Sequence, residues 1–191
     1  MSTPRIAPGG RRELGLFGWG FSRIAGIVSR TAPPNLFTTL GRHRRLFRGW
    51  LRFAGRLMPG GRLPRRETEL AILRVAHLRD CRYEFDHHVR LGRRAGVTAD
   101  DVQRVIAGPA APDWSPREAA LLTAVDELHR DRDVSDATWA ALGGHLDERE
   151  LIELVFLVGH YEMLATAIAA LRIEPDGPLR RGRETARPPA R

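Results

Sequence analysis

The stretch DCRYEFDHH, at residues 80–88, places the only cysteine of the chain next to acidic residues and two histidines. A thiol, a carboxylate and an imidazole in close proximity can pass a proton between them. A thiolate in such a setting can also act as a nucleophile. Either chemistry requires that the side chains point to the same side of the element that carries them.

Helical geometry would bring three of these side chains together. Successive residues of an α-helix are 100° apart, so Glu84 lies 300° from Cys81 and His88 lies within about 20° of it. His87 points about 120° away from Cys81. We therefore predict one stripe of Cys81, Glu84 and His88, in which His88 exchanges protons near neutral pH and Glu84 orients its imidazole.

The start of this helix bears on the reactivity of the thiol. Asp80 is predicted to be the N-cap, which would place Cys81 in the first turn. The positive end of the helix dipole would then favour the thiolate. Two simpler interpretations stay open: Cys81 can be a small buried hydrophobic residue, and Glu84 can be only an i,i+4 partner of His88.

Other candidate residues lie in neighbouring helices. Glu69 lies among apolar residues in ETELAIL, so its carboxylate either faces solvent or is buried for a purpose. Tyr83, His160 and Tyr161 are possible pocket-lining residues, although core packing is the favoured interpretation of each. Residues 84–87 have the E-x-x-H spacing of di-iron bundles, but a second copy is missing, so we expect neither a metal nor another cofactor.

The elements that must position these residues are predicted to be helices. Apolar residues recur at helical spacing in RETELAILRVAHL and REAALLTAVDELH. The segment LIELVFLVGHYEMLATAIAAL is apolar nearly all round, which is typical of the buried centre of a bundle. Ser115 and Glu118, with Pro116 between them, have the spacing of a capping box. The sequence predicts an all-α bundle of about seven or eight helices built from helical hairpins.

Length and charge indicate the domain organisation. The 191 residues suffice for one domain with a proper core. We predict a basic N-terminal segment with a short helix at 1–32, an all-helical domain at 33–174, and a disordered, Arg- and Pro-rich tail at 175–191. The net charge of +8 comes from the two ends, because residues 64–174 hold 14 Arg against 20 Asp and Glu. Nucleic-acid binding is not expected, because no known recognition signature accompanies the Arg clusters.

The cellular location is predicted from what the chain lacks. No apolar run approaches the roughly 20 residues that a membrane span needs, and the N-terminus lacks the apolar core of a signal peptide. A single cysteine agrees with a reducing compartment. We therefore expect a cytoplasmic protein without a membrane partner.

The segment from Glu69 to His88 reads E-L-A-I-L-R-V-A-x-L-x-x-C-x-Y-E-x-x-x-H. It resembles the core of the carboxymuconolactone decarboxylase family, which includes the alkylhydroperoxidase-like proteins, and the resemblance extends over roughly residues 33–174. It implies an all-helical protein that assembles as a trimer or hexamer. The peroxidase branch uses a Glu, a C-x-x-C pair and a His, which implies roles for Glu69, Cys81 and His88. Glu84 occupies the second cysteine position, so the disulfide cycle of that branch is not available.

The residues and the resemblance together predict an enzyme with a small-molecule substrate. We expect decarboxylation or isomerisation of a small organic acid or lactone, with acid–base chemistry carried by Glu69, Cys81, Glu84 and His88. One alternative is a one-cysteine peroxidase that reduces alkyl hydroperoxides through Cys81. Another is a non-catalytic binding or assembly protein. A homo-oligomer is expected in each case, since apolar stretches such as FGWGFSRIAGIV suit subunit contacts.

Overall fold

The computed structural model describes residues 3–29 and 31–178, and this part of the chain is all-helical. Within it lie nine helices and no strand: α1 (Arg11–Ser29), α2 (Asn35–Leu40), α3 (Arg44–Leu57), α4 (Arg65–Leu78), α5 (Arg82–Arg94), α6 (Ala99–Ala107), α7 (Pro116–Asp131), α8 (Asp136–Gly143) and α9 (Glu148–Leu171). The all-α prediction is confirmed. The predicted number of seven or eight helices is too low, because α2 and α8 have only 6 and 8 residues and show little apolar period.

The described residues form two compact units, one from 3–29, 31–50 and 171–178 and one from 51–170. In the first unit α1 packs against α2. Its centre is an aromatic cluster of Phe21, Phe37, Phe47 and Trp50, with ring centroids 5.3 to 6.2 Å apart. Residues 179–191, most of the predicted disordered tail, lie outside the described residues. The domain boundaries after residues 32 and 174 stay predictions.

Helix α4 is the centre of the second unit. It packs against α5, α6 and α7, and α7 packs against α8. Every residue of α4 from 67 to 76 is buried, including the polar ones. Helices that follow one another in the chain, such as α4 and α5, pack together as in a helical hairpin. The helix that carries Glu69 is thus enclosed by its neighbours.

A buried arginine on α4 holds two of these neighbours in place. Arg74 donates hydrogen bonds of 2.6 and 2.8 Å to the two carboxylate oxygens of Asp126 on α7. It also donates to the carbonyl oxygen of Val105, at 2.8 Å, near the end of α6. One guanidinium therefore links α4 to a half-buried carboxylate of α7 and to a backbone carbonyl of α6.

The predicted start of α7 is confirmed. The hydroxyl of Ser115 accepts a hydrogen bond from the backbone N–H of Glu118, and the Glu118 carboxylate accepts one from the Ser115 N–H. This reciprocal pair satisfies two of the N–H groups that the first turn of a helix leaves without partners.

Helix α9 is buried on one face only, which corrects the prediction of a fully buried central helix. Ile152, Phe156 and Met163 are 59%, 56% and 50% exposed. By length and apolarity, α9 is also the one helix of the described residues that could span a membrane, contrary to the sequence-based expectation. Core helices of soluble proteins have the same composition, and Glu162 of α9 pairs with His129 of α7 at 2.6 Å. The length and apolarity of α9 are therefore weak evidence that this helix spans a membrane.

Candidate active site

Helices α4 and α5 bring one histidine between two carboxylates. The distance from His88 Nδ1 to Glu69 Oε2 is 2.7 Å, and from His88 Nε2 to Glu84 Oε2 it is 3.3 Å. All three side chains are buried: Glu69 is 0%, His88 is 2% and Glu84 is 4% exposed. We call Glu69, His88 and Glu84 the relay. A hydrogen-bonded chain of this kind can hold and transfer a proton away from water.

Helical spacing brings two members of the relay to one face of α5. Glu84 and His88 are four residues apart and lie with Gly92 on the buried face of α5. A Cβ atom at Gly92 would lie 3.2 Å from Val97 and 3.6 Å from the Cβ of Glu69. The missing side chain therefore leaves room for Val97, whereas its contact with Glu69 on α4 would have an ordinary van der Waals length.

The relay changes the charge of His88. Burial alone would lower the pKa of this imidazole, but the hydrogen bonds to Glu69 and Glu84 outweigh burial and raise the pKa to about 9. At neutral pH His88 is therefore an imidazolium that donates a hydrogen bond to Glu69 and forms an ion pair with Glu84. A histidine in this state is a proton donor rather than a resting base.

Arg65 is a member of the site that sequence reasoning missed. Its guanidinium lies 2.7 Å from Glu69 Oε1, and the Arg65 side chain is 38% exposed. Two cations, Arg65 and His88, thus face the carboxylates of Glu69 and Glu84. The signal was present in the sequence, because Arg65 lies four residues before Glu69 on the same helix.

Cys81 lies at the start of α5, but Asp80 does not cap that helix. Asp80 has a φ of +48°, and Cys81 itself is the N-cap residue. The backbone N–H groups of Asp80 and Cys81 donate to the carbonyls of His77 and Ala76, at 3.0 and 2.8 Å. This is the pattern of a Schellman motif, so Asp80 ends α4 rather than starting α5. The predicted N-cap is wrong because one short turn serves both helices.

The environment of the thiol also differs from the prediction. Cys81 is buried, and burial raises the pKa of its thiol, as does the negative charge of Glu84. The backbone N–H groups of Glu84 and Tyr83 favour the thiolate but do not prevail. The predicted stabilisation of the thiolate is therefore wrong, since the field of the helix start is outweighed by loss of water.

Aromatic residues of α9 border the relay. The Tyr161 ring is perpendicular to the His88 imidazole, with centroids 5.1 Å apart, and the Tyr161 hydroxyl lies 3.9 Å from Met58 Sδ. Burial raises the pKa of Tyr161 well above its ordinary value, so its hydroxyl stays protonated. His160 lies 5.2 Å from Tyr161 and is one step further from the relay. Burial lowers the pKa of His160 to about 4.

The remaining candidates are placed differently. Tyr83 is half-buried, and its contribution to the thiol comes from its backbone N–H. His87 is half-buried as well. Burial, and after it the positive charge of His88, lowers the pKa of His87 to about 4. In the described part of the chain, no three His, Cys, Asp or Glu side chains are arranged to bind a metal ion.

A family comparison matches the segment of the chain that carries the relay. Residues 44–127 match the model of the carboxymuconolactone decarboxylase family. Over these residues the family resemblance expected from the sequence is confirmed. The matched segment includes α4 and α5 and hence Glu69, Cys81, Glu84 and His88. No curated protein matches the chain.

Solved structures share the fold across most of the chain. An uncharacterized peroxidase-related protein with an alkylhydroperoxidase AhpD core, from Ralstonia eutropha JMP134, has a TM-score of 0.80 at 17% identity, covering 92% of this chain and 93% of its own. A peroxidase-related protein from Silicibacter sp. TM1040 has a TM-score of 0.77 at 14% identity, covering 92% and 95%. A variant of the debrominase Bmp8 in complex with 2,3,4-tribromopyrrole has a TM-score of 0.76 at 14% identity, covering 91% and 92%. At these identities the likeness establishes the fold.

Proposed function

We propose that this protein is a small-molecule enzyme of the carboxymuconolactone decarboxylase type that performs acid–base chemistry. Its reaction would be the decarboxylation or isomerisation of a small organic acid or lactone. The observation that supports the proposal is the buried relay, in which His88 lies 2.7 Å from Glu69 and 3.3 Å from Glu84. A buried cluster of three ionisable groups costs stability, and such clusters are concentrated at functional sites.

Each residue has a role that its contacts support. Glu69 and His88 hold and move the proton, and Glu84 orients the imidazole from the opposite side. Arg65 balances the charge of Glu69 from the solvent side. Cys81, whose pKa is raised by burial, stays a neutral thiol and can donate a weak hydrogen bond.

The state of the thiol favours this proposal over a one-cysteine peroxidase. A peroxidatic cysteine needs a thiolate that peroxide can reach. Burial raises the pKa of Cys81, and the residue is only 7% exposed. A protein named as a debrominase has the same fold, so the cysteine is tested separately below.

The experiment is a screen of small lactones and 3-oxo acids with the full chain in D₂O, followed by NMR. Product formation, or deuterium at an activated carbon, reports proton transfer. Replacing Glu69 and His88 together by Gln should reduce the rate by roughly 10²- to 10⁴-fold, the usual contribution of positioned acid–base groups. The Cys81→Ser variant should retain most of the rate of the unaltered protein. Full turnover in the double variant would refute the proposal.

A further inference from the structure

Glu84 has one carboxylate oxygen that the relay does not use. Its Oε2 lies 3.3 Å from His88 Nε2, and its side chain is 5% exposed. Its Oε1 is buried and makes no hydrogen bond within the described part of the chain. Leaving a buried acceptor without a donor destabilises the folded protein, and more so for a charged group, so such atoms in native proteins call for an explanation.

The relay would hold together without this oxygen. Glu69 already binds Nδ1 of His88 at 2.7 Å, and Arg65 lies 2.7 Å from the other oxygen of Glu69. Glu84 Oε2 completes the contacts of the imidazolium. Of the two Glu84 oxygens, one therefore serves the relay and one is left to serve something else.

We propose that Glu84 Oε1 is the atom that accepts a hydrogen bond from the substrate, and that the substrate presents an uncharged O–H or N–H group to it. This inference rests on the proposed function and narrows its substrate class. An enol, a phenol, a hydroxylated lactone or an N–H heterocycle has the required donor.

The charges around Glu84 exclude a carboxylate in the same place. Arg65 and His88 are both engaged with the relay carboxylates, so a substrate carboxylate at Oε1 would add a negative charge next to Glu84. Like charges at hydrogen-bonding distance disfavour each other strongly in a site with little water. If the substrate is an acid, its carboxylate binds elsewhere and its donor group meets Glu84.

The test compares three probes of similar size, phenol, anisole and benzoate, by NMR-detected binding to the full chain. Anisole lacks the donor and benzoate replaces it with a negative charge. Phenol should bind at least about tenfold more tightly than either, since a hydrogen bond to a charged acceptor contributes roughly 1.5–3 kcal/mol. Glu84→Gln should reduce this preference and improve benzoate binding. Glu162→Gln, which alters the other Glu–His pair of the unit, should change neither.

The results separate this inference from the proposed function. Three outcomes would overturn the inference. Phenol does not bind, anisole or benzoate binds as tightly as phenol, or the preference for phenol is unchanged in Glu84→Gln. If turnover depends on the relay but phenol is not preferred, the inference is overturned and the proposed function still holds. The preference without turnover on any lactone or 3-oxo acid would support the inference and count against the proposed reaction.

Discussion

Of two buried histidines in the second unit, one is protonated and the other is neutral at neutral pH. His88 lies between Glu69 and Glu84, whose hydrogen bonds outweigh its burial and raise its pKa to about 9. His160 is buried too, and burial lowers its pKa to about 4. The residue type alone therefore does not decide whether a histidine is an acid or a neutral packing group. Its partners decide it.

The thiol is expected to react slowly. Cys81 is 7% exposed and burial raises its pKa, so little thiolate is available to an alkylating agent or to peroxide at neutral pH. A dimedone-type probe applied after mild peroxide should label the folded chain at a small fraction of the extent reached with a small free thiol. The urea-unfolded chain, treated identically, is the control. Rapid labelling of folded protein would revive the one-cysteine peroxidase.

The stability of the fold should depend on the protonation of His88. Its folded pKa of about 9 exceeds its ordinary value of 6.5, so its stabilising contribution is complete below pH 6.5 and is lost as the pH rises to about 9. Urea unfolding should show a loss on the order of 3 kcal/mol over that interval. The loss should be clearly smaller in Glu69→Gln. An equal loss in both proteins would show that other groups cause it.

Among the secondary structure elements, α5 shows which part of the site the sequence could predict. Glu84 and His88 share a buried face, as the helical spacing of a single element requires. The N-cap at Asp80 could not be predicted, because the turn that ends α4 uses the same residues. The contact between Glu69 and His88 was implied by the family resemblance, but its 2.7 Å geometry depends on how α4 and α5 pack.

The packing of α4 against α7 is expected to depend on Arg74. Asp126→Ala removes both hydrogen-bonded oxygens and leaves a guanidinium that is only 9% exposed without its carboxylate. The cost should be about 3 kcal/mol in urea unfolding, as for other broken buried pairs. The matched control is Asp86→Ala, whose partner Arg82 is 86% exposed. It should cost no more than about 1 kcal/mol. Equal effects would contradict this role of Arg74.

At the scale of the whole molecule, composition and periodicity were enough to predict an all-helical protein. They were not enough for the number of helices, since elements as short as α2 lack a repeated apolar period. The prediction that α9 is fully buried was wrong, because periodicity does not tell whether an apolar face packs within the chain or remains exposed. Ile152, Phe156 and Met163 belong to that exposed face.

The exposed face of α9 is where we expect subunits to meet. The family resemblance implies a trimer or hexamer, and contiguous exposed apolar residues are common at such contacts. Phe156→Asp should reduce the mass measured by light scattering from three or six times 21.4 kDa towards that of one chain. Ile106→Asp, which alters an exposed apolar residue of α6, should leave the mass unchanged. A monomeric unaltered protein, or an assembly that tolerates Phe156→Asp, would contradict this expectation.

The most direct test of the relay is an NMR titration of the His88 imidazole in the full chain between pH 5 and 10, since its protonation reports both carboxylates at once. His88 should titrate near pH 9. In Glu69→Gln the midpoint should fall by at least about one pH unit, because the 2.7 Å hydrogen bond to Glu69 is the foremost cause of the raised pKa. Glu162→Gln should not move it. Two results would contradict a buried imidazolium between two carboxylates. The midpoint lies near the ordinary 6.5 in the unaltered protein, or it does not change in Glu69→Gln.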